Sequence, residues 1–468
     1  MERSTAILLV LAVYLLALVA IALGARRTAA DDAASFYLGG RRLGPWVAAL
    51  AANASSSSSW SLLGVSGFAY QFGLPALWLL PGCVGGFALN WLLVAPAVRR
   101  RTGAAVTMTD LLAGPHGVPG RRAFVLFATA LTLLSLLTYV AAQMQAAGTA
   151  FVHTFEVPLW QGVGLGAVLT VAYTMIGGYL AASRTDTVQG MMMAGVAVVV
   201  PAVGLWHIGG PGPLLSAMAQ LEPAYEDVFG GRTGMAAAGF ALALCGIALG
   251  YPGQPHAINK YMGMSDAASM TTARCVGIGW AVLLYPGMIV LGWLVRVEWP
   301  LPDGQREDAL FAASQNLLPP LLDGVVLAAI LAAIMSTVDG QLLVCASCVS
   351  HDLRRDGAAG GSTWAARATV LAIGVGATVA AVMVPSTIFG RVMFAWAALG
   401  SAFGPLLLVH VLWRPLPPRW ALASAATGGV GAVLGFYWPV LSDGLADRVL
   451  AWLAALVVAL LGAARAAR

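Results

Sequence analysis

The chain has 468 residues, of which 59% are hydrophobic and 10% charged. A soluble domain carries about 25% charged residues, so composition excludes a water-covered globular fold and requires lipid around most of the surface. The net charge of +5 sits in short loops between apolar runs, which excludes a nucleic-acid-binding face and makes the charges topology information instead.

In chain order, thirteen runs approach or exceed the roughly 20 apolar residues that one crossing needs. They fall at about 5–25, 44–70, 75–98, 122–150, 158–182, 186–208, 233–255, 272–296, 322–350, 364–384, 387–413, 419–438 and 444–463. No cleavage signal follows the first run, which reads as a retained span. Alternate loops hold 19 of the 25 basic residues, including the run Arg99 to Arg101, Arg121, Arg122 and Lys260. That asymmetry predicts the N-terminus outside and the C-terminus cytoplasmic, and the arginine-, alanine- and glycine-rich composition points to a bacterial plasma membrane. The two longest outside loops, near Glu222 to Asp227 and Asp303 to Asp308, are acidic. The chain stops soon after the last run, so no soluble catalytic or signalling domain is expected.

The first anomaly is the second span, where Asn53 and Ala54 precede five serines, Ser55 to Ser59, and Trp60. Serine hydroxyls compete for backbone carbonyls and loosen helices, and irregular backbone at membrane depth survives only in protein or beside a cavity. A helix broken near mid-membrane is expected; the alternative is a packing face of small residues. The second anomaly ends the seventh span, where Gly246, Gly250, Pro252, Gly253 and Pro255 fall within eleven positions. With the first span set aside, these are the opening helices of two five-span halves, the pattern of an inverted repeat with a central site.

The third anomaly lies in the ninth span, where Ser336 and Thr337 offer hydroxyl oxygens of the kind hard cations take. Asp339 follows them, an intramembrane acid and so a functional candidate. Asp186 reads as an acid at the start of the sixth span. The six histidines form no ligand cluster, and Cys345 and Cys348 read as buried small residues rather than a redox pair.

Several segments together resemble the sodium:solute symporter family, most nearly its bacterial sodium/proline symporter branch. They are Phe36 to Pro45, Ala54 to Trp60, Gly177 to Gln189, Gly250 to His256, and Ile330 to Val344. The resemblance implies an all-α polytopic membrane protein with about 13 transmembrane helices, built on the five-plus-five inverted repeat of the leucine-transporter type. The expected division is residues 1–30 as a peripheral N-terminal helix, 40–210 as the first repeat, 230–413 as the second, and 414–468 as two peripheral helices. By the same resemblance, a sodium ion would bind backbone carbonyls of Ala54, Ser57 and Ala333 with hydroxyls of Ser336 and Thr337. Tyr139, Tyr251, Gln254 and Pro255 would line the substrate cavity.

Two positions depart from the branch: Ser56 stands where it has an aspartate, and Ile247 where it has a cavity-lining tryptophan. Against the first loss stands Asp339, which with Asp186 is expected to form a second cation or proton site. The implied activity is sodium-coupled symport of a small polar solute, an amino acid such as proline or another small organic acid, by alternating access. Its partners are that solute and the bilayer, with sodium as coupling ion and no organic cofactor. A proton-coupled symporter and a transporter-like sensor acting through a partner are the alternatives. An enzyme is not expected, because no nucleophile–base or metal constellation is present.

Overall fold

Backbone in lipid can hydrogen-bond only to itself, so each apolar run becomes a helix. The computed structural model describes residues 2–26, 38–176, 178–265, 268–353, 363–384, 387–438 and 445–466. Phe36, Tyr37 and Gly177, and the loop arginines Arg27, Arg354, Arg355 and Arg468, lie outside the described residues. Among the described residues, eleven helices are long and apolar enough to cross a membrane, and Leu159–Met175 is a shorter apolar one. The remaining crossing is the pair Pro45–Ser59 and Val65–Phe72, joined by a wide turn over Trp60–Gly64. Asn53 and the serines lower its hydropathy below that of the others. The thirteen expected spans are thus all present.

Burial separates centre from rim. The apolar windows of the ninth span, Pro320–Asp352, and the eleventh, Ile388–Trp413, are 83% and 89% buried. Those of Arg3–Gly24 and Trp364–Met383 are 33% and 28% buried, so these helices turn most of their surface outward. Leu16, Trp206 and Val168 are exposed large apolar side chains, as lipid-facing positions should be. Every residue from Ala48 to Ser59 is buried, which puts the serine run at the centre.

Two boundaries differ from expectation. The sixth span begins at Tyr179, seven residues before Asp186, because the chain breaks at the extended Gly178. Asp186 therefore sits two turns inside a helix and is fully buried, not at a membrane boundary. The seventh span does not end at its glycine and proline cluster. Gly234–Cys245 and Ile247–Gly250 lead through a tight turn at Tyr251–Gly253 and an extended Gln254 into a further helix, Pro255–Met262. Proline fits that helix's first position, where its missing N–H costs nothing. All eight of its residues are buried, so Lys260 is not a loop charge.

Tight crossings rest on small residues. A Cβ built on Gly287 of the eighth span would lie 1.9 Å from the Ala197 carbonyl oxygen of the sixth. Gly287→Leu should therefore push spans six and eight apart and cost roughly 1–3 kcal/mol or more. Gly279→Leu, with nothing within 4 Å of its Cβ, should leave thermal unfolding in detergent unchanged.

Candidate functional site

The second span breaks at Ser58, whose φ of 51° and ψ of −174° leave the helical region. The neighbouring hydroxyls take over carbonyls as the serine run suggested. Ser56 Oγ donates to Ala52 O at 2.7 Å, and Ser61 Oγ donates to Ser57 O. The fourth span, Arg121–Phe155, holds the break in place. Its Tyr139 hydroxyl donates to Ser58 Oγ at 3.2 Å, and its Gln143 Oε1 accepts from the Ser59 N–H at 3.1 Å. Below the break, Asn53 Nδ2 donates to Gly277 O at 2.6 Å and Asn53 Oδ1 accepts from Trp91 Nε1 at 3.0 Å.

The ninth span crosses this segment. Thr337 Oγ1 donates to Ala54 O at 3.4 Å, and Ser336 Oγ donates to Ala333 O at 3.2 Å. The helices touch because Gly340 lacks a side chain; a Cβ there would lie 2.5 Å from Ser55 Oγ. Calcium, of radius similar to sodium, takes oxygens at about 2.3–2.6 Å, so oxygens 3.4 Å apart fit one cation shell. Of the five expected ligands, Ala54 and Thr337 meet directly, and Ala333 and Ser336 adjoin them on the ninth span. The Ser57 carbonyl instead accepts from Ser61, while Ser55 Oγ has no partner among the described residues.

A cluster of aromatic rings lies against the broken seventh span. The Tyr251 and Tyr285 hydroxyls are 3.2 Å apart, and Ser61 Oγ is 3.2 Å from Tyr285. The Tyr251 ring packs edge-on against Phe87 and Trp396, each at 4.7 Å between centroids. Trp396 Nε1 donates to Ile247 O at 3.2 Å, and Gln254 Nε2 donates to Gly250 O and Trp396 O at 3.1 and 3.2 Å. The expected cavity residues Ile247, Tyr251, Gln254 and Pro255 therefore stand together. Tyr139 approaches from the fourth span, 6.2 Å from the His256 ring. Ser56 faces its own helix. Trp396 and Tyr285 carried no sequence signal, because an aromatic in an apolar run reads as core.

A charged group lies one turn from Ser336. Lys260 Nζ is 2.7 Å from Asp186 Oδ2 and donates to Ser183 Oγ at 3.1 Å. Asp339 lies within electrostatic range of both and is 1% exposed, and neither of its carboxylate oxygens has a side-chain partner among the described residues. The expected pairing of Asp186 with Asp339 is thus modified: the salt bridge of Asp186 is to Lys260. Among the described residues no group of three His, Cys, Asp or Glu side chains could hold a metal ion.

Known proteins share the sequence pattern and the fold. The sequence profile of the sodium:solute symporter family matches residues 36–428. The chain belongs to the sodium:solute symporter family. As a family member it is a multi-pass transporter that couples solute movement to sodium, and it is not an enzyme. It is 34% identical to the osmoregulated proline transporter OpuE of Bacillus subtilis, over 92% of this chain and 89% of that protein. It is 32% identical to the sodium/proline symporter of Escherichia coli, over 100% and 95%. Its fold is similar to that of a Na+-coupled sialic acid symporter in a substrate-bound outward-open state, at TM-score 0.79 and 17% identity, over 99% and 98% of the two chains. Mhp1, a nucleobase-cation-symport-1 family transporter, is similar at TM-score 0.58 and 15% identity, over 92% and 94%. The leucine-transporter-type fold follows.

The symporter's Ser58 occupies backbone space that favours glycine, at a cost of about 1–3 kcal/mol. Ser58→Gly should raise the melting temperature, and Ser58→Val should lower it sharply. Equal melting of the two variants would remove the strain.

Proposed function

We propose that this symporter imports proline, or an amino acid of similar shape, with sodium across the bacterial plasma membrane by alternating access. The observation that carries the reading is the meeting of Ala54 O with Thr337 Oγ1, which joins the broken second span to the ninth. Sodium between them ties the two halves, residues about 40–210 and 230–413, into one arrangement that also favours substrate. Substrate and ion then each strengthen the other's binding.

Proline as substrate is supported by the relatives' names and by the aromatic cluster. Ile247 removes an indole that the branch places on the seventh span, but Trp396 of the eleventh brings one against Tyr251. A small apolar ring with a charged amino acid head fits such a wall beside Gln254 and the freed backbone at Ser58.

With the N-terminus outside, the outer side of this arrangement is closed. Glu307 accepts from the N–H groups of Ile388 and Phe389 at 3.1 and 2.9 Å, capping the eleventh span. That cap seats Phe389 against Trp60 and Phe68 at 5.8 and 5.6 Å between ring centroids. On the other side a cavity lies among His256, Asn259, Lys260 and Ser347.

In proteoliposomes, an inward sodium gradient should drive labelled proline uptake, while potassium or a proton gradient alone should not. Thr337→Val should raise the sodium concentration for half-maximal uptake about tenfold, the equivalent of ~1.4 kcal/mol. Uptake that follows the proton gradient, or no uptake under any gradient, contradicts the reading.

A further inference from the structure

Lys260 is the single lysine among 25 basic residues; the chain uses arginine everywhere else. It stands in the short helix after the seventh-span break, 1% exposed. Its ammonium holds Asp186 Oδ2 at 2.7 Å and Ser183 Oγ at 3.1 Å, and lies 4.9 Å from the Tyr179 ring centroid. The rest of the pocket is rich in acceptors. Asp186 Oδ1, both Asp339 oxygens and Gln189 Oε1 are buried and have no side-chain partner among the described residues. One ammonium therefore bonds Asp186 and lies within electrostatic range of a second buried carboxylate, Asp339, which is one helical turn from Ser336. A buried carboxylate left uncompensated is costly, so this oxygen set suits a cation.

We propose that the Lys260 ammonium is a tethered cation in a carboxylate pocket that could otherwise hold a second sodium ion, and that it sets the number of bound sodium ions at one. The inference rests on the sodium reading of the Ala54–Thr337 site. An ammonium carries the same charge as sodium and, unlike a planar guanidinium, is a compact point charge on a flexible stem. Two cations sharing the Asp186 carboxylate in a buried site repel one another, so a free ion is excluded while the lysine is in place. The tether supplies the charge without ion loss from the pocket, and Asp186 and Asp339 stay poised beside the main site. With the ammonium removed by substitution, the two carboxylates and Ser183 Oγ form an oxygen set for a hard cation.

Equilibrium binding of radioactive sodium to the purified full chain in nanodiscs counts ions directly, and thermal unfolding across a sodium series reports the same event without transport. The wild type should bind one sodium per chain. Lys260→Met should bind two and gain a larger upward shift in melting temperature with sodium. Asp186→Asn combined with Lys260→Met, which removes the pair together, should return the count to one. Two ions on the wild type or on the double variant, or one ion on a folded Lys260→Met protein, overturns the role of Lys260. Where Lys260→Met does not fold, Lys260→Gln removes the same charge with a polar side chain, should likewise bind two, and overturns the role of Lys260 by binding one. No sodium on the wild type overturns the symport reading itself, a result distinct from a wrong count.

Discussion

A helix that breaks inside a bilayer leaves backbone groups where no water can reach them, at a cost of several kcal/mol for each unmet group. The break at Ser58 is therefore the constraint around which the rest of the structure is arranged. Tyr139 and Gln143 meet it from the fourth span, and Thr337 meets the Ala54 carbonyl from the ninth. Serine hydroxyls satisfy carbonyls locally at Ala52 and Ser57. Those partners come from helices that belong to both halves of the chain. Anything that binds at the break is felt by both, and that is what a coupled carrier needs.

The charges obey the same rule. Asp186 and Asp339 are both buried, and among the described residues only Asp186 has a salt bridge. Ser56 of the broken second span, where the family resemblance leads one to expect an acid, bonds back to Ala52. The ninth span carries the buried acid Asp339, and Lys260 lies within electrostatic range of it from the helix after the seventh-span break. The interrupted seventh span thus joins the sixth and ninth in one electrostatic arrangement.

The thirteen spans were legible because lipid imposes a length and a composition on each of them. The break in the second span was legible too, since five serines at that depth have few structural uses. What escaped was set by tertiary contact. Lys260 looked like a loop charge because it follows a glycine and proline cluster, yet proline at the first position starts a new buried helix there. Asp186 looked like a boundary residue because the apolar run around Gly178 hides the true helix start. Trp396 lies in an ordinary apolar run, and only the fold brings it to Tyr251. The residues of the Ala54–Thr337 contact came from family resemblance, and the structure supplies the distance between them.

The most direct test of the central claim, that sodium joins the second and ninth spans at the break, is an electron cryomicroscopy map of the protein in sodium and in potassium. The account predicts density in sodium alone, about 2.3–2.6 Å from the Ala54 carbonyl and the Thr337 hydroxyl, with the direct bond between them opened to admit it. The same Thr337–Ala54 bond in both maps, with no density between the two spans, would contradict it.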